Sequence, residues 1–195
     1  MAAVPSTMLP LGTKLPAFSL PNTLDGKRVS SADFDRQPAL LVMFICNHCP
    51  YVQHVKHEIG RVVTDYAPRG VGLVAISSND VAQFPDDAPD KMKALARSEG
   101  WKFPYVFDET QQVARAFQAA CTPEFYLFDR ERRLVYRGQL DGSRPKNDVP
   151  VTGKDLRAAL DALLSGKPVS PQQVPSVGCN IKWKPGNEPD YMTRP

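Results

Sequence analysis

Two cysteines separated by two residues are the part of this sequence best suited to chemistry. Cys46 and Cys49 enclose Asn47 and His48, and Pro50 follows directly. Two thiols at this spacing can form and break a disulfide, because the second thiol can attack a mixed disulfide formed by the first. A protonated His48 beside a thiolate would favour the reduced form and make the disulfide a stronger oxidant. The pattern predicts a redox couple in which Cys46 is the nucleophile and Cys49 the resolving thiol.

The segments on either side of the pair predict where it lies. The continuous apolar run from Ala39 to Ile45 is typical of a strand that is buried on both faces. After Pro50, apolar residues recur every three or four positions as far as Tyr66, which predicts an amphipathic helix. Unpaired N–H groups and the helix dipole favour negative charge at such a strand-to-helix junction. We therefore expect the Cys46 thiol to be acidic and open to solvent.

The remaining patterns predict one α/β domain followed by a tail. Residues 71–77 form a second buried strand, so that strand, helix and strand make a right-handed crossover unit. A turn at residues 24–27 predicts an N-terminal β-hairpin, and residues 124–138 predict a second hairpin. The domain is expected to span residues 11–166. Residues 167–195 are rich in proline and have no helical period, which predicts an irregular C-terminal tail.

Composition excludes several broad classes of protein. The chain has 195 residues, of which 42% are hydrophobic and 23% charged, as expected for a folded globular protein. The net charge of +3 comes from scattered lysines and arginines, so no nucleic-acid partner is expected. No apolar stretch is long enough to span a membrane, and the N-terminus has no secretory pattern, so we expect a cytoplasmic protein. In a reducing cytosol, four cysteines indicate catalysis or metal binding rather than a disulfide scaffold.

A metal site is the main alternative use of a cysteine pair. Zinc would need a second close pair of cysteines or histidines at finger-like spacing, and the sequence has none. His54 and His57 are three positions apart on the predicted helix and are interpreted as solvated helix residues rather than metal ligands. We therefore predict no metal and no cofactor.

Three segments resemble the thioredoxin superfamily, in particular its peroxiredoxin-like (AhpC/TSA-related) and TlpA-type redoxins. They are LGTKLPAFSLPNTLDGKRVS near the start, ALLVMFICNHCPYV around the cysteine pair, and ACTPEFYLFDRERRLVYRG in the later hairpin. The chain is also similar to a smaller group of redoxins with C-N-H-C-P-Y-V and a tail like VGCNIKWKPGNEP. The resemblance covers Leu11 to Leu164 and implies a thioredoxin-like fold, with a mixed four- to five-stranded sheet flanked by helices.

The resemblance also implies a substrate site and an activity. Pro123 matches a cis proline that faces the cysteine pair in thioredoxin-like proteins, and a proline at the first residue of a strand removes no ladder hydrogen bond. Thr122 would then offer its backbone to an extended segment of the substrate. The implied activity is thiol–disulfide oxidoreduction on protein or small-molecule disulfides, with a thiol as electron donor.

Two other functions remain open within the same superfamily. A thiol peroxidase would reduce hydroperoxides in an antioxidant role, with Cys121 or Cys179 as the resolving thiol. Peroxiredoxins typically have a threonine three residues before the peroxidatic cysteine, a proline after it and an arginine on a later strand. Here Pro50 matches, whereas Cys46 stands at the threonine position and the later segment reads Cys-Thr-Pro-Glu.

A copper-binding protein like the Sco group would use a close cysteine pair and a distant histidine. All three histidines of this chain lie between positions 48 and 57, which does not supply that distant ligand. Cys121 also has a purely structural interpretation as a small buried apolar residue.

Overall fold

The structure is a computed structural model that describes residues 3–193. Ten strands occur in this range: β1 (Ala3–Pro5), β2 (Ser19–Pro21), β3 (Arg28–Ser30), β4 (Ala39–Phe44), β5 (Val71–Ser77), β6 (Tyr105–Phe107), β7 (Cys121–Thr122), β8 (Glu124–Phe128), β9 (Leu134–Gly138) and β10 (Val177–Asn180). Five α-helices accompany them: α1 (Pro50–Tyr66), α2 (Pro89–Ser98), α3 (Gln112–Ala116), α4 (Lys154–Leu164) and α5 (Asp190–Thr193). None of the helices in this range is both long and apolar enough to cross a bilayer.

The central sheet has five strands in the order β6-β5-β4-β8-β9. β4 pairs in parallel with β5, and β5 with β6, whereas β8 and β9 are antiparallel to their neighbours. Every residue of β4 and β5 is buried, which explains why their sequences are continuous apolar runs rather than alternating ones. The mixed sheet flanked by helices confirms the predicted α/β, thioredoxin-like fold.

The two faces of the sheet carry separate apolar cores. Leu41 and Met43 of β4 face a cluster that includes Val52 and Ile59 of α1. The alternate β4 residues, with Phe44 among them, face a second cluster built around buried aromatic rings. Because side chains alternate across a strand, β4 anchors both cores and fixes where its C-terminal end, and hence the cysteine pair, must lie.

The termini form a second sheet beside the main one. β10 lies between β1 and β7 and is antiparallel to both, in the order β1-β10-β7. Beyond it, Ile181 and Trp183 are buried in the aromatic core, and the Tyr191 hydroxyl donates to the carbonyl oxygen of Ala119 at 3.2 Å. The expected tail is therefore irregular over residues 167–176, whereas residues 177–180 form a strand that sequence analysis missed. The predicted N-terminal hairpin is present as the two-stranded sheet β2-β3.

Candidate active site

The cysteine pair lies in the short segment that joins the end of β4 to the start of α1. Cys46 comes two residues after the end of β4, and Cys49 is the N-cap of α1, with Pro50 in its first turn. Both residues are closed off from solvent, with 1% of Cys46 and 0% of Cys49 exposed. The expectation of a solvent-open Cys46 was therefore wrong, because the β7–β8 segment and β10 lie over the pair.

Thr122 contacts both sulfur atoms. Its hydroxyl lies 3.3 Å from the Cys46 sulfur, and its carbonyl oxygen accepts a hydrogen bond from the Cys49 thiol at 3.2 Å. The peptide bond between Thr122 and Pro123 is cis, as the resemblance implied. The cis-proline segment and the cysteine pair are thus in direct contact.

The thiolate is favoured at Cys49. The Cys46 thiol hydrogen-bonds to the Cys49 sulfur and, against the opposing effect of burial, lowers the pKa of Cys49 to about 5. Hydrogen bonds from Cys179, the Thr122 hydroxyl and the backbone N–H of Val52 act in the same direction. Val52 belongs to the first turn of α1, so its N–H is one of the unpaired donors of a helix N-terminus. The Thr122 carbonyl opposes ionisation, because only the neutral thiol can donate to it.

Cys46 has the opposite tendency. Burial raises the pKa of its thiol well above the ordinary value, and the neighbouring Cys49 and the carboxylate of Asp87 raise it further. Of the two thiols, Cys46 therefore holds its proton more tightly. The helix dipole was expected to stabilise the thiolate of Cys46, whereas Cys49 is the residue that directly precedes the first helical residue, Pro50.

His48 forms an ion pair with a carboxylate that the sequence analysis did not single out. Its Nδ1 lies 2.5 Å from Oδ2 of Asp87, and its ring stacks on Phe84 with the ring centres 5.2 Å apart. The hydrogen bond to Asp87 raises the pKa of His48, against the effect of burial. The Asp87 pKa is lowered although burial opposes this, because His48 and Asn79 both donate to its carboxylate.

Asp87 also fixes the backbone between the two cysteines. Its Oδ1 accepts hydrogen bonds from the N–H groups of Asn47 and His48, at 2.7 and 3.1 Å. Asn79 donates to Oδ2 at 2.7 Å. Asp87 lies in a loop 40 residues after Asn47. The sequence of that segment does not indicate this contact, because the contact forms only when the crossover brings the segment back to the cysteine pair.

Cys46 also takes part in the one group of three potential metal-ligand side chains found within residues 3–193. Cys46, His48 and Asp87 each offer a donor atom, and these atoms lie within 4.8 Å of one another. However, the Asp87 carboxylate is already satisfied by His48, Asn79 and two backbone N–H groups. The geometry is therefore that of an ion pair, and a metal would have to displace it.

The two histidines on α1 lie outside this cluster. His54 hydrogen-bonds to the Ser143 hydroxyl at 2.7 Å, and His57 pairs with Glu99 at 2.7 Å. Both side chains therefore have partners of their own, in keeping with their interpretation as helix residues.

Cys179 and Cys121 lie on the paired strands β10 and β7. Cys179 is opposite Thr122, and its thiol is close enough to hydrogen-bond to Cys49. Cys121 is fully buried, burial raises its pKa well above the ordinary value, and its sulfur lies 3.9 Å from the Pro123 carbonyl oxygen. Cys49 thus interacts with both Cys46 and Cys179. The Thr122 backbone was expected to pair with an extended segment of the substrate, whereas in the structure β10 pairs with it.

Comparison with known proteins identifies the family. Residues 11–137, more than half of the chain, match the AhpC/TSA family. The chain belongs to the AhpC/TSA family. It is thus a redoxin of the thioredoxin superfamily, in agreement with the mixed sheet and the cysteine pair at the start of α1.

Several solved structures are similar to this AhpC/TSA protein. An uncharacterized conserved protein from Geobacillus kaustophilus is 57% identical, with a TM-score of 0.94 over 95% of this chain and 98% of that chain. A hypothetical protein from Sinorhizobium meliloti 1021 is 49% identical, with a TM-score of 0.91 over 93% of this chain and 99% of that chain. The thioredoxin domain of a thiol-disulfide oxidoreductase from Bacteroides vulgatus is 19% identical, with a TM-score of 0.55 over 66% of this chain and 88% of that chain. This last likeness shows the fold alone.

Proposed function

We propose that this redoxin is a thiol–disulfide oxidoreductase that cycles between a Cys46/Cys49 dithiol and a Cys46–Cys49 disulfide. The observation that carries the proposal is the position of both sulfurs against Thr122, whose hydroxyl lies 3.3 Å from the Cys46 sulfur and whose carbonyl oxygen lies 3.2 Å from the Cys49 sulfur. The lowered pKa of Cys49 supports it. A thiolate that is already formed at neutral pH is the nucleophile of thiol–disulfide exchange. The attacking residue is therefore Cys49, and Cys46 is the resolving thiol, which reverses the roles expected from the sequence.

The reaction is two successive exchanges. The Cys49 thiolate attacks one sulfur of the substrate disulfide, which forms a mixed disulfide and releases the other substrate sulfur as a thiolate. Cys46 then gives up its proton and attacks the Cys49 sulfur, which closes the Cys46–Cys49 bond and releases the second substrate thiolate. The substrate gains two electrons, and an external thiol donor later restores the dithiol.

His48 and Pro123 support this chemistry from either side of the pair. Asp87 raises the pKa of His48, and the protonated ring would interact favourably with the Cys49 thiolate. By stabilising the reduced form, it makes the Cys46–Cys49 disulfide more oxidising. Pro123, in its cis peptide bond, orients the Thr122 groups that contact both sulfurs. A substrate that pairs with the Thr122 backbone has to displace β10 first.

Single-cysteine variants test the assignment. Cys49→Ser should abolish turnover of a disulfide substrate, whereas Cys46→Ser should accumulate mixed disulfides that mass spectrometry locates on Cys49. Cys121→Ala is the matched control, because Cys121 is buried nearby yet has no role in the cycle, and it should retain turnover. Full turnover by Cys49→Ser, with the Cys121→Ala control active, would overturn the proposal.

A thiol peroxidase is the second function that a specific observation favours. Cys49 is followed by Pro50 at the start of α1 and has a low pKa, which suits attack on a hydroperoxide. That attack would oxidise Cys49 to a sulfenic acid and release water or an alcohol, and Cys46, Cys121 or Cys179 would then close a disulfide. Peroxide consumption separates the two functions. If peroxide oxidises Cys49 no faster than it oxidises a free thiol of similar acidity, the peroxidase is excluded.

A further inference from the structure

Of the four cysteines, Cys179 on β10, outside the Cys-x-x-Cys motif, is the most exposed. Cys179 retains 4% of its surface exposed, compared with 1% or less for the other three cysteines. It lies on the wall of a cleft of about 340 Å³, within the usual size range of small-molecule sites. The cleft is formed by Ala3 of β1, the first residues of α1 and the loop after β9. A small molecule in this cleft would meet Cys179 before it meets Cys46 or Cys49.

Two cations line the same cleft. Arg144 donates to the carbonyl oxygens of Asp141 and Ser143, at 2.7 Å each, and to Oε1 of Gln139 at 2.6 Å. All three acceptors are neutral, so these contacts fix the guanidinium without cancelling its charge. Lys146 is exposed, and within residues 3–193 neither cation is paired with a carboxylate.

The acidic residues of the same loop do not neutralise the two cations of the cleft. The Asp141 carboxylate accepts hydrogen bonds from the backbone N–H groups of Ser143, Thr152 and Gly153, at 2.6 to 2.8 Å. Asp148 is exposed and is not among the lining residues. The cleft therefore combines a thiol, the aromatic ring of Tyr51 and two uncompensated positive charges.

We propose that this cleft binds a low-molecular-weight thiol that carries carboxylates, of about the size of a tripeptide, and that Cys179 passes its electrons to Cys49. The proposal rests on the proposed function, because it names the electron donor of the Cys46–Cys49 couple. A protein donor is less suited to this structure, since β10 already pairs with the Thr122 backbone where an extended peptide would add.

Electrons pass from the small thiol to Cys179 and from Cys179 to Cys49. In the oxidised protein, the Cys179 thiolate attacks the Cys49 sulfur, which forms Cys49–Cys179 and releases Cys46 as a thiolate. The small thiolate then attacks the Cys179 sulfur, which forms a mixed disulfide and releases Cys49. A second small thiolate attacks the sulfur of the first small thiol in this mixed disulfide and releases Cys179 as a thiolate. Two small thiols thus supply two electrons and leave as one small disulfide.

The local electrostatics favour the second step, whereas burial of Cys179 opposes its ionisation in the first. In the reduced protein, burial and the neighbouring Cys49 raise the pKa of Cys179 to about 12, so Cys179 holds its proton there. Cys49 no longer raises the pKa of Cys179 once it is part of a disulfide, because a disulfide sulfur carries no charge and is a weaker hydrogen-bond acceptor than a thiolate. In the second step the leaving group is Cys49, and a thiol of low pKa leaves faster.

The test compares two small thiols as reductants of the full-length oxidised protein. Glutathione carries carboxylates, whereas cysteamine is a cation, so the ratio of their rates measures the charge selectivity of the cleft. Lys146→Glu should lower this ratio about fivefold, which corresponds to the upper end for one exposed ion pair. Lys102→Glu is the matched control, since it makes the same charge change at an exposed lysine outside the cleft and should leave the ratio unchanged.

Cys179→Ser separates this proposal from the proposed function. The variant should still form the Cys46–Cys49 disulfide and be reduced by dithiothreitol, but its reduction by glutathione should slow by about tenfold or more. In the wild-type protein, glutathione should be found on Cys179. An unchanged rate ratio in Lys146→Glu, or glutathione attached to Cys46 or Cys49 instead, would overturn the cleft proposal alone. Failure to form the Cys46–Cys49 bond before any glutathione is added would overturn the proposed function.

Discussion

Gly178 crosses directly over the carbonyl group of Thr122. A Cβ atom at position 178 would lie 2.0 Å from the Thr122 oxygen and 2.7 Å from its carbonyl carbon. Both are backbone atoms, which cannot rotate away as a flexible side chain can. Only glycine therefore allows β10 to lie against β7 and cover the cysteine pair.

Gly178→Ala should lift β10 from β7. We expect a loss of about 1–3 kcal/mol in the free energy of unfolding, the usual cost of overpacking, and faster alkylation of Cys49 at a fixed pH. Gly142→Ala is the control, because a Cβ there meets only a methyl group of Val149, at 3.9 Å. Equal alkylation rates for wild type and Gly178→Ala would show that β10 does not limit access to Cys49.

Cys49 should titrate well below an ordinary cysteine. The ultraviolet absorbance of the thiolate, or the rate of alkylation against pH, should show a transition near pH 5 that Cys49→Ser removes. Cys46→Ser should move this transition, because a serine hydroxyl is a different donor from the thiol that contributes most to the low value. A single transition near the ordinary thiol value of 9.0 in the wild-type protein would contradict the assignment.

The His48–Asp87 pair should make stability depend on pH in two directions. The lowered pKa of Asp87 contributes stability above its ordinary value of 3.8, and this is lost as the pH falls through the lowered value. The raised pKa of His48 contributes stability below its ordinary value of 6.5, and this is lost as the pH rises through the raised value. The contribution of the pair is therefore complete between about pH 4 and 6.5.

Asp87→Asn tests this pair. It should cost about 1–3 kcal/mol in the free energy of unfolding, because it removes the charged acceptor of the half-buried His48 ring, and it should return the His48 pKa towards 6.5 in an NMR titration. Asp86→Asn, at the exposed neighbouring position, is the control and should change neither quantity. An unchanged His48 titration in Asp87→Asn would contradict the role of the carboxylate.

Trp183 should anchor the C-terminal segment. It is 9% exposed, packs in the aromatic core and meets the Tyr191 ring edge-on, with the ring centres 6.5 Å apart. Trp183→Ala should cost about 3–5 kcal/mol in the free energy of unfolding and speed hydrogen exchange in β10. Val174→Ala, at a side chain that is 54% exposed, should do neither. Unchanged exchange in β10 after loss of Trp183 would show that the anchor lies elsewhere.

Sequence patterns predicted the parts of the structure that are governed by local periodicity. The apolar run of β4, the helical stripe of α1 and the hairpin of β8 and β9 lie where the spacing of residues 39–66 and 124–138 placed them. The cis Pro123 came from resemblance and agrees with the structure. These features depend on residues that are neighbours along the chain or belong to a recurring motif.

The rest of the site depends on contacts between distant segments. β10 is four residues long and has no period, and its position is set by the missing side chain of Gly178. Asp87 reaches the motif only because the crossover returns its loop to the start of α1. The lowered pKa of Cys49 depends on its contacts with Cys46, Cys179 and Thr122, and the last two are far from Cys49 along the chain.

Disulfide mapping after mild oxidation shows whether Cys46 and Cys49 form a redox couple. The full-length protein is treated with a small disulfide and, separately, with peroxide, its free thiols are alkylated, and the linkages among the four cysteines are identified by mass spectrometry. We expect the small disulfide to yield a Cys46–Cys49 bond, alone or in exchange with Cys49–Cys179, and to leave Cys121 alkylated. Recovery of Cys46 and Cys49 as free thiols, when the same treatment has oxidised a control dithiol, would contradict it.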